Sequence, residues 1–363
     1  MNETDEILNK VTDSKQPKVL ATIIEVVGSS YRKEGAMMLI MEDGTHVGLL
    51  SGGCLENDLA ERAAEVRKKQ TTQTIVYDMS AEDDLSFGQG KGCSGTITVL
   101  LEPINPPLEE HLKKVKSFLN NGIPVLHIKK LSPVNTVSDY AFISDTGHLF
   151  GEWDKLNHEL IELKKQLKQE KDGLVSFKNS DEHYYIQVLK PKPRLIVFGA
   201  GPDVRPLVTF AAKSGFKTTV TDWRPAFCEP AHFPEADKII LDFPVAFISE
   251  FSFSPNDSVI VMTHNFEKDQ QILNQLLQTD LQYLGVLGPK KRTAKLLNEE
   301  KIPNKLHSPL GLSIGAIGPE EIAISILADV IKHNRTKNQQ NQMNLFNERL
   351  FEDNVLKTGT SDH

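Results

Sequence analysis

Three cysteines in 363 residues, Cys54, Cys93 and Cys228, are too few and too scattered for a disulfide framework. None belongs to a C-x-x-C pair, and the count is below the roughly four thiolates an iron–sulfur cluster takes. The chain therefore holds no such cluster alone, and its cysteine usage suits a reducing cytoplasm. No apolar run approaches the ~20 residues of a membrane span. The first residues, Met1-Asn-Glu-Thr-Asp-Glu6, have neither a basic n-region nor an apolar h-region, so no secretory leader is expected. A basic excess is also missing. The net charge of −8 argues against a general nucleic-acid binder, because phosphate binding needs a positive field. No internal repeat is present. What remains is a chain of ordinary globular composition, too long for one core of roughly 250–300 residues.

The strongest positive signal is Arg194-Leu-Ile-Val-Phe-Gly199-Ala-Gly201-Pro, followed by Thr218-Thr-Val-Thr-Asp222. An apolar run ends in Gly-Ala-Gly, an amphipathic segment follows, and a second apolar run ends in an acid. This is the order of a Rossmann βαβ unit. Gly199 allows the tight turn, Gly201 lets backbone approach a pyrophosphate, and Asp222 stands where an acid meets a ribose hydroxyl. Val204 fills the third glycine position, which counts against tight NAD binding. The proline-punctuated stretch Leu189-Lys-Pro-Lys-Pro-Arg194 separates this half from the first. Beyond it, strands at 237–242, 257–264 and 283–288 alternate with helices at 267–279, 290–299 and 318–333. The fold class is α/β: a Rossmann-like, doubly wound parallel sheet over 191–334. Residues 1–190 read as an α+β domain, with more strands and a charged helix (155–171) in its middle segment, 131–190. Residues 335–363, rich in Asn and Gln, read as a mobile tail.

Four constellations could carry chemistry. Gly28-Ser-Ser-Tyr-Arg-Lys-Glu-Gly35 offers Ser29, Ser30 and Arg32 either as an anion cradle or as a polar hairpin loop. Ser51-Gly-Gly-Cys54-Leu-Glu56 places a thiol at the start of a helix, where the dipole and unpaired N–H groups favour a thiolate. A second glycine-dense loop, Gly88–Gly95, surrounds Cys93. Two glycine-flanked thiols in one domain point to soft-ligand or sulfur chemistry more than to packing. Cys228, without such surroundings, reads as structural. In the second half, His264 and Asn265 fall just past a strand's carboxyl end, where open α/β sheets bind ligands. Gly288-Pro-Lys290 puts cations at a helix start, either for a phosphate or as a solvated turn.

Together these motifs resemble the XdhC/CoxI family, accessory factors of molybdenum hydroxylases. The resemblance rests on Gly28-Ser-Ser-Tyr-Arg, Ser51-Gly-Gly-Cys-Leu-Glu and Gly92-Cys-Ser-Gly in the first half. In the second it rests on Phe198-Gly-Ala-Gly, Thr221-Asp-Trp-Arg224, Thr263-His-Asn and His307-Ser-Pro-Leu-Gly-Leu-Ser-Ile-Gly-Ala. Tyr31 and Ser94 stand where the family usually has Pro and Gly. The resemblance implies a chaperone, not a catalyst, that binds molybdenum cofactor (molybdopterin) and delivers it to an apo molybdenum hydroxylase. It also implies Cys54 and Cys93 as contacts for molybdenum or sulfur, a cysteine desulfurase as a further partner, and a homodimer. On this reading the cofactor-binding set is Ser29, Ser30, Arg32, Cys54, Glu56, Cys93, Gly199, Gly201, Asp222, Arg224, His264, Asn265, Gly288 and Lys290. Two alternatives stay open: an NAD(P)-dependent oxidoreductase using Asp222 and His264, and a scaffold using the nucleotide fold as architecture only.

Overall fold

The computed structural model describes residues 3–79, 95–132, 136–153, 172–176 and 183–349, with 336–349 as backbone only. The described residues divide into two compact units, 3–191 together with 342–349, and 192–341.

The first unit contains two antiparallel sheets. Strands β1 (Lys18–Val27), β2 (Met37–Met41), β3 (His46–Gly48), β4 (Gln73–Asp78) and β5 (Thr96–Pro103) pair in the order β3-β2-β1-β5-β4. β1 is buried without a break from Lys18 to Ile24 because both of its faces are covered there. Val19, Ala21 and Ile23 meet the stripe Leu59, Ala63 and Val66 of helix α2 (Glu56–Lys69). Leu20 on the opposite face packs with Ile7, Leu8 and Val11 of α1 (Glu3–Asp13) and with Leu108, Leu112 and Val115 of α3 (Pro106–Asn120). Asn105 starts α3 by accepting the Leu108 N–H at 2.9 Å, and prolines occupy the helix's first positions.

The second sheet runs β8-β7-β6-β10-β9, from β6 (Val125–Leu131), β7 (Val137–Ser144), β8 (Leu149–Glu152), β9 (Gly173–Ser176) and β10 (His183–Leu189). A buried ion pair, Lys129 to Glu102 at 2.7 Å, links it to β5. The charged helix expected over 155–171 lies outside the described residues. Sequence reading missed α1, whose Ile7, Leu8 and Val11 form one short apolar stripe, and it missed the brief strands β3 and β4.

The second unit is doubly wound. Strands β11 (Arg194–Phe198), β12 (Lys217–Asp222), β13 (Lys238–Leu241), β14 (Asp257–Val261), β15 (Tyr283–Val286) and β16 (Leu306–His307) form one parallel sheet. Their order, β13-β12-β11-β14-β15-β16, is the 3-2-1-4-5-6 arrangement of dinucleotide-binding folds. Leu195 and Val197 pack under α4 (Arg205–Lys213) and α8 (Pro319–Arg349). Ile196 and Phe198 face α5 (Pro244–Glu250), α6 (Phe266–Leu276) and α7 (Lys290–Leu297). The order reverses between β11 and β14, so a crevice opens beyond the carboxyl ends of those two strands. The backbone of α8 runs to Arg349, past the end expected near His333, and no glycine or proline interrupts it there. Among the described residues, no helix is long and apolar enough to cross a membrane.

Candidate functional site

The first thiol sits on a rigid turn. Ser51 Oγ accepts the N–H groups of Gly53 (3.2 Å), Cys54 (3.0 Å) and Leu55 (3.2 Å) and donates to Glu56 Oε2 at 2.6 Å. Glu56 in turn accepts the N–H groups of Ser51 at 2.9 Å and Leu55 at 3.1 Å. The turn amides around Cys54, those of Gly53, Cys54 and Leu55, are therefore taken by Ser51 and Glu56. Glu56, placed in the binding set from sequence, is buried and holds the turn instead. What the turn leaves for a ligand is the half-buried Cys54 side chain. Beside it are Gly52 and Gly53, where, chain neighbours aside, no atom of the described residues lies within 4 Å of an added Cβ, Gly53 having φ +102°.

Burial alone would raise the Glu56 carboxyl, but the hydrogen bonds from Ser51 and the turn amides outweigh it and hold it below 4.5. A lowered folded-state pKa gives stability that is present above the unfolded value and lost as pH falls through the folded one. Glu56→Gln should thus cost about 1–3 kcal/mol at neutral pH. It should also flatten the acid limb of the stability curve below about pH 4.5. Urea midpoints measured from pH 3 to 7 check this; a wild-type acid limb in the variant would contradict it.

The Gly28–Gly35 loop connects β1 to β2, with positive φ at both glycines. Its anion cradle is not vacant: Arg32 makes a two-pronged ion pair with Glu3 of α1, with Nη1 to Oε1 at 2.8 Å. The Ser30 hydroxyl donates to the Arg32 carbonyl, and Ser29 is exposed. The loop instead packs on Gly95, where an added Cβ would lie 2.6 Å from the carbonyls of Val27 and Ser29. Gly95 closes the second glycine-dense loop, so the two loops meet at that residue. Cys93 itself lies outside the described residues. Cys54 packs against the same core that contains Met79, and the Met79 N–H donates to the Gly95 carbonyl at 3.0 Å.

In the second unit, Gly199 ends β11 with φ +115°, and a Cβ there would fall 2.3 Å from the Met262 carbonyl of the neighbouring strand connection. Gly201 has an ordinary φ of −63° and marks the start of a short turn, Pro202–Val204, ahead of α4. Across the crevice, His264 holds a positive φ of 58°, unusual for a side chain with a Cβ. Its Nε2 lies 2.7 Å from Asp203 Oδ2, so the pair bridges the two sides of the switch point. Asp203 was missed from sequence, since only the fold brings it opposite a residue 61 positions away.

Asp222 corrects another expectation. Its Oδ1 accepts Arg224 N and Nε, each at 2.9 Å, while Oδ2 accepts Ala200 N at 2.9 Å and Arg224 Nη2 at 2.7 Å. The four acceptor positions of the carboxylate are filled, leaving none for a ribose hydroxyl. The NAD reading loses its main support. Burial would raise this carboxyl, but the Arg224 and Ala200 hydrogen bonds hold it below the ordinary range. The Arg224 guanidinium lies over the rings of Trp223 and Phe227, 4.9 and 4.3 Å from their centroids.

Asn265 is likewise occupied: its side chain caps α6 by accepting the Lys268 N–H at 3.0 Å. Behind it, Asp269 accepts the Thr263 hydroxyl at 2.5 Å and Arg292 at 2.6 Å, which fixes the floor of the crevice. Gly288 (φ +124°) leads to exposed Lys290 at the N-terminus of α7, which has no side-chain cap and no acid in its first turn. Of the expected crevice set, Arg224 is partly exposed and His264 and Lys290 are exposed, whereas Gly199 and Gly201 are buried.

Comparison with known proteins places this architecture. The XdhC and CoxI family model matches residues 11–78, a BH1974-like central domain matches 106–190, and the XdhC Rossmann domain matches 195–330. A probable xanthine dehydrogenase subunit from Bacillus subtilis (strain 168) is 42% identical over 334 residues, 92% of this chain and 98% of that protein. The molybdenum cofactor insertion chaperone PaoD of Escherichia coli (strain K12) is 22% identical over 319 residues, 86% and 82% of the two chains. A crystal structure of a xanthine dehydrogenase (BH1974) from Bacillus halodurans superposes with TM-score 0.86 at 52% identity, covering 94% of this chain and 99% of that one. The chain belongs to the XdhC and CoxI family.

Proposed function

We propose that this protein is an accessory factor that binds molybdenum cofactor, shields it, and hands it to an apo molybdenum hydroxylase of the xanthine dehydrogenase type. The observation that carries the reading is Cys54, a half-buried thiol on a turn held by Ser51 and Glu56 and bordered by open glycines. A soft thiolate is the natural donor for a metal already surrounded by sulfur. The rigid turn fixes where that donor points, and Gly52 and Gly53 leave room for a bulky ligand. In the second unit, partly exposed Arg224 and exposed His264 stand at the carboxyl end of the sheet, and exposed Lys290 starts α7, all able to meet an anionic group. The kinship with a molybdenum cofactor insertion chaperone supports the same reading. A cysteine desulfurase partner and a homodimer belong to this proposal as well.

The test is transfer. Chain loaded in cells that make the cofactor, then purified, should activate apo-hydroxylase without added free cofactor and lose molybdenum as activity appears. Activation no faster than with free cofactor alone would overturn the proposal.

The same reading ranks the thiols. Cys228 Sγ donates to the Asp222 carbonyl at 3.4 Å, and burial together with the Asp222 charge pushes its thiol up. Alkylation at neutral pH, followed by peptide mapping, should label Cys54 before Cys228. Faster labelling of Cys228 would mean that the Ser51–Leu55 turn is closed in solution.

A further inference from the structure

We propose that His307, Asp329 and His333, none of them in the cofactor-binding set above, form a binding site for a zinc-class divalent metal ion in the second unit. His307 ends β16, while Asp329 and His333 stand four residues apart on one face of α8. One ligand atom from each lies within 4.8 Å of the others. Asp329 is 6% exposed and sits among Ile326, Leu327 and Val330, an apolar setting that does not suit an unmatched carboxylate. Among the described residues it has no lysine or arginine in ion-pair range. Its charged-group neighbours are the two imidazoles, His333 Nδ1 at 3.3 Å and His307 Nδ1 at 3.8 Å.

The surroundings resemble an outer shell. The Tyr283 hydroxyl donates to Asp329 Oδ2 at 2.7 Å, which orients the carboxylate and leaves Oδ1 for an ion. The Tyr283 ring stacks on His307 with centroids 4.0 Å apart and an interplanar angle of 13°, fixing that imidazole's plane. The two imidazoles meet edge to face at 4.2 Å. Tetrahedral zinc with nitrogen and oxygen ligands at about 2.0–2.2 Å sets its donor atoms roughly 3.4 Å apart. Turning His333 toward an ion gives up its Nδ1 contact to the Asp329 carbonyl, 2.9 Å.

Two imidazoles and one carboxylate suit zinc better than magnesium or calcium, which prefer oxygen donors. Three protein ligands leave a fourth position open. His307 and Asp329 also line a cavity of about 710 Å³ that Lys290, Lys291 and Lys301 border, so water or an anion can complete the coordination.

The test uses the full-length protein stripped with chelator and titrated with cobalt(II) and zinc. Cobalt should give the visible bands of a four-coordinate nitrogen–oxygen site without thiolate charge transfer, at one ion per chain. Zinc should raise Tm. His307→Ala and His333→Ala, both partly exposed positions, should fold and weaken binding at least ~10–100-fold, and Tyr283→Phe should weaken it within that range. Circular dichroism of the metal-free variants checks folding independently. Wild-type binding equal to that of the folded double histidine variant would overturn the proposal. So would a cobalt spectrum dominated by thiolate bands.

Discussion

Gly199→Ala is expected to destabilise the second unit by more than about 4 kcal/mol, in the range single substitutions rarely reach. Two independent costs add. The φ of +115° lies where residues with a Cβ pay about 1–3 kcal/mol in backbone strain. The new Cβ also falls 2.3 Å from the Met262 carbonyl, a backbone atom that cannot swing aside. Both partners are pinned, because Met262 N donates to Phe198 O at 2.8 Å and Gly199 N donates to Thr221 O at 2.8 Å. Gly201→Ala is the control. Its Cβ meets only Asp203 Oδ1, at 2.7 Å, the end of a side chain that can rotate. That variant should stay within about 1 kcal/mol of wild type while loosening the Asp203–His264 contact. Urea unfolding followed by Trp223 fluorescence in a Trp153→Phe background decides between them. Equal midpoints for the two glycine variants would contradict the account of the β11 turn.

The double variant Cys54→Ser with Cys93→Ser should fold normally and fail at its task. Serine is close to cysteine in size, and the turn before α2 is held by Ser51 and Glu56 rather than by the thiol, so it keeps its hydrogen bonds. What is lost is soft-donor character, and a hydroxyl is a poor ligand for a sulfur-bound metal at neutral pH. Cofactor retention should fall at least by the ~10–100-fold that removal of a supporting partner costs at metal sites. Activation of the client hydroxylase should fall with it. Cys228→Ser, by contrast, removes a thiol committed to the Asp222 carbonyl and should leave retention unchanged. The comparison requires matched circular dichroism spectra and matched Tm values. The idea is falsified if the folded double variant retains cofactor and activates the client at the wild-type level.

Local periodicity and glycine spacing made much of this molecule legible in advance. The stripe Leu59, Ala63 and Val66, the strand before Gly199 and the Pro319 start of α8 each depend on residues within a few turns of one another. The six-stranded parallel sheet follows from repeating that local pattern, although two-residue β16 is too short to announce itself. The polar groups behaved differently. Arg32 has a free guanidinium in any reading of its own loop, but Glu3, 29 positions away, neutralises it. Asp222 stands at the ribose position by spacing, yet Ala200 and Arg224 fill its lone pairs. Asn265 looks like a ligand residue at a strand's end and proves to be a helix cap. In each case chemistry type was readable and availability was not, because availability is set by which distant donor reaches the group first. The same limit hid Asp203, and it hid the joining of His307 with Asp329 and His333.

The most direct measurement of the central claim is the pterin and molybdenum content of this protein purified from cells that make molybdenum cofactor. Mass spectrometry of the released pterin and elemental analysis for molybdenum give the stoichiometry per chain. The account predicts pterin and molybdenum in equal amounts, approaching one per chain, with both strongly reduced in the Cys54→Ser, Cys93→Ser variant. Wild-type protein carrying neither, from cells whose other molybdoenzymes are fully loaded, would contradict it.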